Sequence, residues 1–125
     1  MSLTVSPLFS ERKEDKFDVF EALLETLDKN DERLQEGDVI VVSTKYISNS
    51  QGRLIDLAKV KTSKEGTEVS RKFQIKEELA EIILRESDKI FGGISGFVIT
   101  SADNIMAPNA GIDKSNAKKG KVILY

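Results

Sequence analysis

The residues best suited to chemistry in this chain are consecutive: Asn109, Ala110, Gly111, Ile112, Asp113, Lys114, Ser115 and Asn116. Two amides, a carboxylate and a hydroxyl surround one glycine, between apolar runs at Phe97–Thr100 and Val122–Tyr125. The chain has no histidine and no cysteine. A metal ion would therefore be held by oxygen, which suits a hard ion such as Mg²⁺ or Mn²⁺ rather than zinc. Asp113 is the one carboxylate of this loop, and a divalent ion needs more oxygen ligands, from elsewhere in the chain or from a second chain. The same residues also have a purely structural use. Asn and Gly tolerate left-handed backbone, and Asp, Ser and Asn cap turns and helix starts.

Two other segments carry groups of interest. Val39–Val42 is an unbroken β-branched run, the pattern of a strand covered on both faces, and it opens into Ser43-Thr44-Lys45. A hydroxyl and an ammonium at the carboxyl end of a buried strand are placed to meet phosphate oxygens. The plainer alternative is a solvated lysine after a strand, and no G-x-x-x-x-G-K-[ST] cradle accompanies it. Ser48-Asn49-Ser50-Gln51-Gly52-Arg53 either lines a site with amides and one guanidinium or forms a polar turn.

The elements that must position these groups follow from periodicity. Phe17, Phe20, Leu23, Leu24 and Leu27 fall at helical spacing, predicting a helix from about Phe17 to Lys29 that ends at Asn30-Asp31. Gly37-Asp38 reads as a turn. Leu54, Ile55, Leu57 and Val60 fit helix and strand equally, and Lys61–Arg71 reads as a polar loop. Ile75, Leu79, Ile82 and Ile83 make the stripe of a second helix, stopped at Gly92-Gly93. Phe97–Thr100 is a strand, Ser101–Asn104 a turn, Ile105–Ala107 its hairpin partner, and Lys121–Tyr125 a last strand. Strand clusters and two main helices out of strict alternation predict an α+β domain with a mixed sheet.

The 125 residues suffice for one domain, 1–125, with one core. Nineteen basic and twenty-one acidic residues, with a formal charge of −2, give no electrostatic case for nucleic acid. No apolar run approaches a membrane span, and the start lacks the apolar core of a signal peptide. Absence of cysteine excludes a disulfide scaffold and fits a cytoplasmic location.

Three blocks, in order, carry a resemblance. Gly37-Asp38-Val39-Ile40-Val41-Val42-Ser43-Thr44-Lys45, with Ile47-Ser48 and Gly52-Arg53 after it, looks like the start of the coenzyme F420 γ-glutamyl ligases. Leu84-Arg85-Glu86-Ser87, then Gly96-Phe97, is similar to the next family block. Asn109-Ala110-Gly111-Ile112-Asp113 with Ser115-Asn116 resembles the family signature nearly residue for residue. Three ordered blocks from Gly37 to Asn116 are far more specific than any one of them.

The resemblance implies the N-terminal part of a GTP-dependent ligase that adds L-glutamate to the deazaflavin precursor of F420 through an acyl phosphate. It implies Mg²⁺ or Mn²⁺, with Asp113 as a metal ligand. It also implies nucleotide contacts from Asn116, Thr44, Lys45 and Asn49, with Pro7 and Leu8 near the start, and a homodimer with shared sites. Two positions depart from the family pattern: Asn49 stands where many members carry lysine, and Gln51 where glutamate is usual. Losing that ammonium removes a phosphate contact. The family's chains also continue past this length and supply further ligands there, so the expectation is a chain inactive alone. The alternative is a non-catalytic nucleotide-binding or regulatory module derived from the same family.

Overall fold

The structure, a computed structural model, describes residues 3–13, 15–114 and 120–124. The chain forms two compact units, one ending at Arg53 and the other starting at Leu54.

The first unit is built on helix α1 (Val19–Lys29), within the span the periodicity predicts. Asp18 caps it, its carboxylate accepting the Phe20 and Glu21 amides at 2.8 and 3.0 Å. Ala22, Thr26 and Leu27 form its buried face, while Phe20 and Leu24 of the expected stripe are exposed. The apolar face is wider than the material of this unit that covers it. Helix α2 (Thr44–Ser50) starts at Ser43, whose hydroxyl accepts the Tyr46 amide. Phe17 meets the Tyr46 ring edge-on, centroids 4.9 Å apart, which joins the lead-in of α1 to α2.

Here the structure corrects one expectation. Val39–Val42 is not a buried strand. It has no ladder partner among the described residues, and Val39, Ile40 and Val41 are 85%, 43% and 91% exposed. β-branched composition favours an extended backbone, but a strand exists only where another pairs with it. Thr44 and Lys45 accordingly do not leave a strand. They form the first turn of α2.

The second unit holds the main core. Strand β1 (Leu54–Asp56) and a short 3-10 turn at Leu57–Lys59 resolve the segment that fitted both helix and strand. Helices α3 (Lys64–Phe73) and α4 (Glu77–Glu86) follow, then strands β2 (Lys89–Ile94), β3 (Phe97–Ala102), β4 (Ile105–Pro108) and β5 (Lys121–Ile123). β2-β3-β4 is one antiparallel sheet and β1-β5 another. The class is α+β, as expected, with four α-helices among the described residues.

The predicted stripe of α4 is the core: Ile75, Leu79, Ile82 and Ile83 are buried with Phe73, Val98, Val122 and Leu124. Helix α3 replaces the predicted loop. Its apolar residues are few, so the pattern is faint, and its start depends on one polar network. Ser63 caps Gly66, and the Ser63 amide and hydroxyl both donate to the Glu81 carboxylate, at 2.8 and 2.7 Å. Gly92-Gly93 does not stop a helix either. Both lie in β2, where a bulge shifts the register between Ile90 and Gly92. Gly93 is required there, because a Cβ would strike the Phe97 carbonyl.

Glu81 is buried, and its hydrogen bonds from Ser63 hold its carboxyl below the ordinary carboxylate range, with Arg85 assisting at 3.0 Å. A carboxyl lowered in the folded state contributes stability above its unfolded pKa and loses it as pH falls through the folded value. Wild type should therefore lose more unfolding free energy than Glu81→Gln on going from pH 7 to about pH 3.5, by denaturant melts. Equal losses contradict this role. Gly66 tests the same contact, since its Cβ would lie 2.5 Å from the Glu81 carboxylate. Gly66→Ala, which in an open helix gains about 1 kcal/mol, should here lower stability.

Candidate functional site

The loop that drew attention in the sequence begins where the β3–β4 ladder ends. The last pair is Ile99 with Pro108. Asn109, Ala110 and Gly111 then take positive φ of 48°, 54° and 71°. The Ile112 amide returns to the Asn109 carbonyl at 3.0 Å, so Asn109–Ile112 is a turn whose two central residues are both left-handed, the type I′ pattern. Asn109 and Gly111 accept that conformation readily. Ala110 does not, at about 1–2 kcal/mol for a residue with a Cβ.

Two side chains hold the turn. Asn109 Oδ1 accepts the Val98 amide at 2.9 Å, adding one rung to the sheet beyond Pro108. The Thr100 hydroxyl donates to the Ala107 carbonyl at 2.8 Å and accepts the Ala110 amide at 2.9 Å. Thr100 is fully buried. Ala110 and Ile112 pack onto the core, so the turn sits on an incompressible base.

Asp113 follows at once. Its amide donates to the Ile123 carbonyl at 3.0 Å and its carbonyl accepts the Ile123 amide at 2.9 Å. Ile123 pairs with Leu54 on its other side. Residues directly opposite share a face, so Asp113 lies on the face with Ile123 and Leu54, away from core-facing Val122 and Leu124. Lys114 is exposed over much of its surface, yet desolvation of its amine, and then the charge of Lys76, lowers its pKa. The Lys76 ammonium thus lies within electrostatic reach of Lys114.

The predicted site residues divide between the units. Thr44, Lys45 and Asn49 share α2, with Lys45 and Asn49 one turn apart on the same side. The Asn49 side-chain amide donates to the Lys13 carbonyl at 3.3 Å. Pro7 and Leu8 belong to the extended start of the first unit, tied down next door where Phe9 and Asn30 exchange bonds of 3.4 Å. Asp113 belongs to the second unit, and Asn116 lies outside the described residues. Sequence reasoning named Lys114 in the motif without a role and gave none to Thr100 or Lys76. Lys114 follows the motif aspartate directly, but Thr100 sits in a strand where threonine is commonplace.

Among the described residues no cluster of three metal-ligating side chains occurs. Asp113 can give a hard ion one ligand, and these residues do not complete a site for it. What the arrangement does is hold the Asp113 backbone at the end of a tightly bonded turn. Asn109→Gly, which keeps left-handed freedom but loses the Val98 acceptor, should cost about 1–2 kcal/mol in denaturant unfolding. Ala110→Val, β-branched at positive φ, should cost about 2 kcal/mol or more. A tolerated valine would contradict the left-handed turn.

The family model described as F420-0:Gamma-glutamyl ligase matches residues 12–125. The chain is similar to the coenzyme F420:L-glutamate ligase of Methanothermobacter thermautotrophicus, 30% identical over 104 residues, covering 82% of this chain and 41% of that protein. It is similar to the ligase of the same name from Methanocaldococcus jannaschii, 34% identical over 92 residues, covering 73% and 37%. For that of Halorubrum lacusprofundi the match is 31% over 102 residues, covering 75% and 41%. This chain thus spans about two-fifths of the length of these relatives. With the signature turn in place and the match running through it, the chain belongs to the F420-0:γ-glutamyl ligase family.

Proposed function

We propose that this chain contributes the Asp113 turn to a ligase that joins L-glutamate to the deazaflavin precursor of coenzyme F420, at the expense of GTP, in the cytoplasm. The precursor carboxylate attacks the γ-phosphorus of GTP, and GDP leaves. The amine of glutamate then attacks the acyl phosphate, the amide bond forms, and inorganic phosphate and a proton depart. The protein's part in such transfers is chiefly to orient groups and to neutralise charge. Asp113 is proposed as one ligand of a divalent ion, Mg²⁺ or Mn²⁺. Thr44, Lys45, Asn49, Asn116, Pro7 and Leu8 are proposed as nucleotide contacts. The observation that carries this reading is the Asn109–Ile112 turn, locked by Thr100 and Asn109 and delivering Asp113, inside a family match that spans residues 12–125.

The remaining ligands are proposed to come from the portion of the relatives that this chain does not span. The outer face of the β2-β3-β4 sheet supports a covering partner there. Ile94, Phe97 and Met106 share it, opposite buried Val98 and Thr100, and are 72%, 40% and 64% exposed. A homodimer is proposed on the same ground.

Joined to the remaining length of the Methanothermobacter thermautotrophicus ligase, the chain should release phosphate from GTP only when precursor and L-glutamate are both present. Asp113→Ala should lower that rate about a hundredfold or more. No turnover with both substrates would overturn the ligase reading. A second reading, a binding module without chemistry, is favoured by the single carboxylate and by Asn49. It predicts heat on titrating this chain with GTP and Mn²⁺, abolished by Asp113→Ala, and no turnover in the joined protein.

A further inference from the structure

Thr100 has a place in this fold that composition does not explain. A fully buried hydroxyl in the middle of a strand is costly unless both its proton and a lone pair are used. Here both are, and each goes to a different part of the site. The proton goes to the Ala107 carbonyl, the residue paired with Thr100 across β3–β4, and the lone pair takes the Ala110 amide beyond the end of the ladder. A hydroxyl fixed on the sheet thus grips the one residue of the turn that resists its left-handed conformation. Three residues later the chain is pinned again, by the paired bonds between Asp113 and Ile123. Between those two anchors lie only Gly111 and Ile112, and Ile112 packs on the core.

We propose that Thr100 is the positioning residue of the Asp113 turn: through Ala110 it sets the direction in which the chain leaves the sheet, and so where the Asp113 carboxylate stands. Valine fills the same volume without the hydroxyl, and serine keeps the hydroxyl without the methyl. The functional consequence rests on reading Asp113 as an ion ligand, whereas the positioning itself does not.

The test uses the full chain, isotope-labelled, as wild type, Thr100→Val and Thr100→Ser. Nuclear magnetic resonance reads the Ala110 amide exchange rate and its amide-to-Hα distance, which is shorter at positive φ. In Thr100→Val the Ala110 amide should exchange roughly tenfold faster than in wild type, as expected for one lost hydrogen bond. The amide-to-Hα distance should lengthen as well, while Thr100→Ser retains both wild-type values. With each variant joined to the remaining length of a relative, titration with Mn²⁺ alone should broaden the Asp113 signals less in Thr100→Val than in Thr100→Ser. A valine variant that keeps the wild-type exchange and distance at Ala110 overturns the proposal. If the valine variant does not fold, wild type decides. Its Thr100 hydroxyl proton should be slow enough to observe and close to the Ala110 amide, and its absence overturns the proposal equally. Broadening absent at Asp113 in the joined wild-type protein would overturn the ligand reading instead, with the Ala110 measurements untouched by it.

Discussion

Where the β3–β4 ladder stops, buried backbone amides still need acceptors, and the second unit is arranged around meeting that need. Pro108 takes the last pairing position, and a proline has no amide to extend the ladder. The Val98 amide is taken by the side chain of Asn109, and the Ala110 amide by the hydroxyl of Thr100. An unpaired buried amide costs about 1–3 kcal/mol, comparable with the strain of holding Ala110 left-handed. The two side chains therefore offset the conformation they impose. The paired bonds of Asp113 with Ile123 carry the hold on this turn to the Asp113 backbone.

The rest of the unit supplies the base on which that turn stands. Helix α4 lays Leu79, Ile82 and Ile83 against Val98, Val122 and Leu124, and the turn packs into the same cluster through Ala110 and Ile112. Helix α3 is bound to α4 by a polar contact as well as by Phe73, since Glu81 serves the amide and hydroxyl of Ser63. Gly66 leaves the space that carboxylate occupies. The end of α3 meets the β2–β3 hairpin too, where the Gly96 amide donates to the Phe73 carbonyl at 2.7 Å. Helix, hairpin and turn are thus linked in one direction of dependence, from packed core to the Asp113 backbone. The ion pairs Lys13–Glu25 and Lys29–Glu11 lie at the surface of the other unit, where such pairs contribute little.

Legibility in the sequence followed the physics of each element. The α4 stripe was plain because four aliphatic residues at helical spacing have one stable outcome, burial on one side. The β3–β4 hairpin was plain for the equivalent reason at period two. Helix α3 was hidden because capping by Ser63 and the Glu81 contact, rather than apolar periodicity, hold it. Val39–Val42 misled because β-branched composition reports a preference for extended backbone and says nothing of a partner. Gly92-Gly93 reads as a stop from sequence, yet a bulge needs glycine just as a helix end does. In the site, Asn109 and Gly111 announced left-handed backbone, and Asp113 stood out as the lone carboxylate. Thr100 could not be seen, because its role depends on a register that places its hydroxyl beneath the turn.

On the proposed function, this turn sets the Asp113 carboxylate against a divalent ion. The most direct test is a crystal structure of this chain joined to the remaining length of a relative, grown with Mn²⁺ and GTP, with the metal located by anomalous scattering. A manganese peak is expected within coordination distance of an Asp113 carboxylate oxygen, about 2 Å, with Asn109, Ala110 and Gly111 still left-handed. A manganese ion bound to the nucleotide by other ligands, with the Asp113 carboxylate outside its coordination shell, would contradict it.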